Sequence, residues 1–248
     1  MSINIFILLG IFMASFVQSL LGFGFGMVGI PILLLFTSPS QAIPLMLCLG
    51  TILNTTLMII YRPHIQWRLV WSLFLPSLIG IPLGISLLNG LPSWAAQLIT
   101  TTVLSVISIS MLARLNISVT LKPYHPPIFG GLSGLLSSAT GIGGPPLAFY
   151  FILKKTPPII TKAHLNAFFV LVNLTAVTMF FSSNQLPFPL LSALLYLIPM
   201  MGLGIFLGVW VGRFIPADLF RRLCLYLILG LAVFLMLQSF SLTQIISL

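Results

Sequence analysis

The first 61 residues carry no charged side chain, and the first charge along the chain is Arg62. A second uncharged stretch, with His counted neutral, runs from Ala163 to Gly212. A bilayer crossing takes about 20 consecutive apolar residues, so each stretch has room for more than one. Composition agrees: of 248 residues, 59% are hydrophobic and 4% charged, against roughly 25% charged in a soluble domain. Such a chain cannot clothe a water-facing surface. The expected fold class is an all-α polytopic membrane protein, with the lipid bilayer as its surroundings.

The formal charge of +9 does not argue for nucleic acid, because the ten Lys and Arg residues stand in short clusters between apolar segments. That is the pattern of orientation signals beside membrane helices. Cys48 and Cys224 lie inside apolar segments with neither a CxxC spacing nor a nearby His. No disulfide, metal or other cofactor is implied. Residues Ser2 to Phe6 lack the positive charge that opens a cleavable signal peptide, so the first apolar segment is expected to stay with the protein.

Simple crossings are expected near 42–61, 69–88, 94–113, 165–181, 190–212 and 223–240. Two segments differ. Residues 3–36 are interrupted by Gly22-Phe23-Gly24-Phe25-Gly26, and residues 127–153 by Gly141-Ile142-Gly143-Gly144-Pro145-Pro146. Glycine and proline at this density break a helix. The breaks superpose at an offset of 119 residues, which carries Gly22 onto Gly141, Gly24 onto Gly143, Pro39 onto Pro158, Asn54 onto Asn173 and Thr56 onto Thr175. After a slip of five residues, Gly80, Gly84 and Pro92 fall on Gly204, Gly208 and Pro216. Matches in register, intramembrane asparagines among them, point to a duplication. The expected units are 1–121 and 122–248.

The charges then orient the repeats. If each broken segment crossed once, Arg62, Arg68, Arg114 and Lys122 would face one side, and Lys154, Lys155, Lys162, Arg213, Arg221 and Arg222 the other. If 127–153 instead enters and leaves on one side, all ten basic residues share a face, which the positive-inside rule makes cytoplasmic. Extended to 3–36 by the repeat, each half becomes a broken re-entrant hairpin plus three transmembrane helices. An odd count inverts the halves and puts both termini outside the inner membrane.

A half-helix that starts within the membrane aims unpaired N–H groups and a partial positive charge at whatever lies beyond it, which favours an anion. Gly22, Gly24 and Gly26 at one break, and Gly141, Gly143 and Gly144 at the other, let the backbone approach a ligand closely. Gln18 and Ser19 precede the first break by a turn, as Ser137 and Ser138 precede the second, and Thr140 abuts it. Asn54 and Asn173 follow mid-membrane, where either lining a pore or bonding helix to helix would offset the cost of a buried amide. These thirteen positions are the expected substrate site. Gly80, Gly84, Gly204, Gly208 and Gly212 read as packing faces.

Asp218 is the only acidic residue, and His64, His125 and His164 fall in the basic loops. Carriers driven by protons usually keep such groups within the bundle, so carboxylate-based proton coupling is not expected. Gly24-x-Gly26-x-x-Gly29 lacks the following acid that a dinucleotide site requires. Nothing resembles a nucleophile paired with a base, so an enzyme is not expected. A carrier and an anion-selective channel would use the same residues, and a non-transporting scaffold is the remaining alternative.

The two glycine motifs, the Pro31-Ile-Leu-Leu-Leu35 and Pro146-Leu147 tails and the length of the chain resemble the TauE/SafE family of sulfite exporters, also called TSUP. Phe25 and Pro145 stand where that family's motif usually has glycine. The resemblance implies transport of sulfite, sulfoacetate or a related small organosulfur anion across the bacterial inner membrane, usually outward.

Overall fold

The computed structural model describes residues 5–90, 125–183 and 188–216, and beyond these only isolated positions up to Gly230. Every regular element among the described residues is helical: α1 (Ile5–Leu21), α2 (Phe25–Leu34), α3 (Pro39–Tyr61), a short 3₁₀ turn (Arg62–His64), α4 (Trp67–Gly90), α5 (His125–Thr140), α6 (Gly144–Leu153), α7 (Pro158–Ser182) and α8 (Phe188–Gly212). Both breaks fall where the glycines are. Gly22 and Gly24 take φ of 87° and 115°, and Gly141 takes 73°, a left-handed backbone that residues with a Cβ rarely adopt. The order of one helix, a break, a short helix and two long helices occurs twice. Pro39 and Pro158 open the corresponding long helices α3 and α7, where the missing N–H is harmless. The expected crossing 94–113 lies outside the described residues, as does most of 223–240.

Four of these helices are long and apolar enough to cross a membrane. Their outward faces are apolar, as at Leu75, Ile79 and Leu83 of α4 and Leu203, Phe206 and Trp210 of α8. The polar side chains Gln18, Asn54, Asn166 and Asn173 are buried instead. This inverts the water-soluble arrangement and suits a lipid surround.

Small residues let the halves pack. On α4, a Cβ at Gly80 would overlap the Gly131 carbonyl of α5, and one at Gly84 would overlap the Ser138 hydroxyl. On α8, a Cβ at Gly204 would overlap the Ser15 hydroxyl of α1, and one at Gly208 would lie 2.7 Å from Ser19 Cβ. The packing role expected for these glycines holds, and the same device serves α4 against α5 and α8 against α1.

Two of the three histidines expected in loops lie on helices, His125 at the first residue of α5 and His164 within α7. α7 begins at Pro158, seven residues before the expected 165, so Lys162 and His164 lie on a helix and not in a loop. Both are buried. His164 Nε2 accepts the Gln66 N–H at 3.1 Å, and Nδ1 lies 2.7 Å from the Ile160 carbonyl. The physical reason is the Pro157-Pro158 pair, which starts a helix as readily as it interrupts one. His164 is thus a buried histidine, but both ring nitrogens are engaged away from the cavity described next.

Candidate functional site

The two breaks meet at the centre of the fold. A Cβ at Gly26 would overlap the Gly141 carbonyl oxygen, and one at Gly144 would lie 2.9 Å from Phe23 Cβ. Beside this contact is a cavity of about 40 Å³, more than the roughly 10–15 Å³ that one water requires. Gln18, Gly24, Gly26, Asn54, Ser137, Gly141, Gly143, Gly144 and Asn173 line it, with Gly50 and the apolar side chains of Phe25, Met27, Met46, Leu47, Ile142 and Phe169. No charged side chain lines it.

Four of the thirteen expected site residues lie elsewhere. The Ser19 hydroxyl donates to the Ser15 carbonyl at 2.7 Å, in the seam with α8. Ser138 donates to the carbonyls of Ile81 and Gly134, each at 2.9 Å, in the seam of α4 with α5. Thr140 donates to the Leu136 carbonyl at 2.8 Å and accepts the Ile142 N–H at 3.3 Å, so it shapes the second break. Gly22 packs against Lys162, and its carbonyl accepts Gln18 Nε2 at 3.1 Å.

The polar groups at the wall are unevenly committed. Gln18 Oε1 accepts the Phe25 N–H at 3.1 Å, and Gln18 Nε2 reaches Asn54 Oδ1 at 2.8 Å. Asn54 Nδ2 points toward Gly50, 3.8 Å from where a Cβ there would sit, and Asn173 Nδ2 lies 2.8 Å from the same point. Two amides, one on α3 and one on α7, therefore converge over a residue with no side chain. Asn173 and Ser137 are 5% and 3% exposed, line the cavity and make no side-chain hydrogen bond among the described residues. Both side chains thus keep polar atoms open to the cavity, not sealed within the protein interior.

The two helix starts are also unequal. α2 opens with Phe25, Gly26 and Met27, and its first turn closes with the Val28 N–H on the Gly24 carbonyl at 3.1 Å. Phe25 is capped by Gln18, which leaves the N–H groups of Gly26 and Met27 as donors at the wall. α6 opens with Gly144, Pro145 and Pro146, and two prolines there remove two donors. The two helix starts thus differ in how many backbone N–H groups their first turns contain.

Three contributors were absent from the sequence reading. Gly50 and Phe169 occupy equivalent places in the two halves at the 119-residue offset and both line the cavity. Asn166 is fully buried and bonds Gln18 Nε2 at 3.3 Å. It stands two helical turns before Asn173, on the same face, and both fall within the crossing expected at 165–181, so the spacing is readable in the sequence.

The paired breaks thus meet beside a cavity lined by amides and glycine backbone and by no charged side chain. The family described as "Sulfite exporter TauE/SafE" matches residues 7–235. The chain belongs to this family. TauE/SafE proteins are membrane transporters and not enzymes, so this chain is a multi-pass membrane protein of a transporter family. It is similar to the "Probable sulfite/organosulfonate exporter TauE" of Cupriavidus necator, 26% identical over 240 residues, which covers 92% of this chain and 91% of that one. No solved structure matches the chain.

Proposed function

We propose that this chain is a secondary transporter that exports a small sulfur-containing anion, sulfite or a compact organosulfonate, across the inner membrane. The observation that carries the reading is the central cavity, where amide and backbone N–H groups converge and no charged side chain intrudes. An oxyanion accepts hydrogen bonds from every side, and hydrogen bonds to a charged partner are roughly twice as strong as neutral ones. Gly26 and Met27 at the start of α2 add the positive end of a helix dipole. Gln18, Asn54, Ser137 and Asn173, with the backbone of Gly24, Gly141, Gly143 and Gly144, complete the proposed site. Its small volume favours sulfite-sized ligands over long-chain sulfonates. The named relative from Cupriavidus supports the substrate class.

The same reading takes residues 1–121 and 122–248 as inverted repeats, with the basic loops cytoplasmic and both termini outside. It is supported by the doubled element order and by the reciprocal packing of α1 on α8 and of α4 on α5. Inverted repeats whose discontinuous helices meet near the midplane are characteristic of secondary transporters. The test uses everted membrane vesicles given labelled sulfite. Vesicles bearing the unaltered protein should accumulate label. Those bearing Gly143→Leu should not, because a Cβ there already lies 2.7 Å from Ser137 Cβ. Equal uptake by both overturns the proposed site.

A further inference from the structure

An amide at the wall of the cavity offers a donor or an acceptor according to which way it is turned. Two backbone groups, the Phe25 N–H and the Lys162 carbonyl, decide that direction. The Phe25 N–H can only donate, so the Gln18 atom that meets it is Oε1. Gln18 Nε2 is therefore the donor, its two hydrogens shared among Asn54 Oδ1 at 2.8 Å, the Gly22 carbonyl at 3.1 Å and Asn166 Oδ1 at 3.3 Å. From the other end, the Lys162 carbonyl can only accept. Asn166 thus turns Nδ2 toward it at 2.7 Å and leaves Oδ1 for Gln18. With its oxygen committed to Gln18, Asn54 has only Nδ2 left, and Nδ2 faces the cavity beside Gly50. Asn166 is 0% exposed and is not part of the cavity wall.

We infer that Asn166 is a positioning residue for substrate: acting through Gln18, it holds Asn54 with its N–H groups toward the cavity. The relay runs from a backbone carbonyl of α7, through Asn166, Gln18 and Asn54, to the cavity, and a branch of it caps the first N–H of α2. Turned the other way, Asn54 would present oxygen to an oxyanion and repel it. The preference for negative charge is then written in hydrogen-bond direction, with no cation at the wall. This inference rests on the reading of the cavity as an oxyanion site.

The test is sulfite transport by the full chain in proteoliposomes, with Asn166→Ser as the main variant. A serine hydroxyl on a helix bonds the carbonyl four residues back, as Thr175 does here to Leu171 at 2.9 Å. It therefore keeps the Lys162 carbonyl satisfied but is too short to serve Gln18. The expected result is a KM for sulfite raised about tenfold, the scale of one hydrogen bond to a charged group, with the maximal rate nearly unchanged. Asn54→Leu should raise KM at least as much, and the double variant should be no worse than Asn54→Leu alone, because both act on one group. An unchanged KM in Asn166→Ser, or additive losses in the double variant, overturns the positioning role while leaving the oxyanion site intact. If the unaltered protein neither transports sulfite nor is stabilised by it, the parent reading and this one fall together. Should Asn166→Ser misfold, Asn166→Thr carries the same hydroxyl and the same expectation.

Discussion

Gly26 and Gly141 stand in direct backbone contact, the α-carbon of one against the carbonyl oxygen of the other, with no room for a Cβ at residue 26. Through this pair the two breaks meet beside the cavity that both line. Gly26→Ala must push the breaks apart. It is expected to cost more than the roughly 1–3 kcal/mol of ordinary overpacking, because the obstacle is backbone. Thermal unfolding in detergent should show a lowered Tm or little folded protein, and a Tm equal to that of the unaltered protein would contradict the contact.

Asn173 should behave unlike an ordinary buried amide. Replacing a bonded one leaves its partner unsatisfied, at about 1–3 kcal/mol, but Asn173 leaves no partner behind among the described residues. Asn173→Leu is therefore expected to leave Tm within a degree or two. It should abolish stabilisation by sulfite, as read by thermal shift across a titration of the anion.

Gly50→Ala tests the convergence of the two amides. The new methyl would sit 2.8 Å from Asn173 Nδ2 and 3.6 Å from a ring carbon of Phe25. At 2.8 Å the Asn173 amide must give way to the methyl. Sulfite affinity should fall about tenfold or more, the scale of one hydrogen bond to a charged partner, while the protein still folds. Unchanged affinity would remove Gly50 from the site.

Ser138 was expected beside the substrate and lies in the seam of α4 with α5. Ser138→Ala should lower stability by about 0.5–1.5 kcal/mol, the net worth of a typical hydrogen bond. The KM for sulfite should not move. A changed KM with unchanged Tm would return Ser138 to the pathway.

Topology has a direct measurement. Single cysteines at Ser38, between α2 and α3, and at Lys155, between α6 and α7, should react from opposite sides with a reagent that cannot cross the membrane. Residue 38 should label from outside and residue 155 only after permeabilisation. Labelling of both from one side would overturn the inverted arrangement.

Much of the site could be read along the chain because its parts are local. Glycine clusters break helices wherever they stand, and Asn54 and Asn173 are conspicuous as amides in apolar runs. The misplaced serines share one cause. Gln18 and Ser19 are neighbours, as are Ser137 and Ser138, yet in each pair one residue faces the cavity and the other a helix seam. A helix that is apolar nearly all round has no hydrophobic stripe to mark its inward face, so periodicity could not tell the members apart. Lys162 and His164 were misplaced because charge suggests a loop, although α7 buries both within its second turn.

The sequence by itself determined that this is a multi-pass helical membrane protein with two glycine breaks in a doubled pattern. Those properties follow from composition and from the backbone preferences of individual residues, and they need no partner in space. Only the tertiary structure decided that the breaks touch and that Asn54 gives its oxygen to Gln18. Each depends on a hydrogen bond or contact between residues far apart in the chain. The bond from Gln18 to Asn166 spans 148 positions, and no local preference encodes its direction.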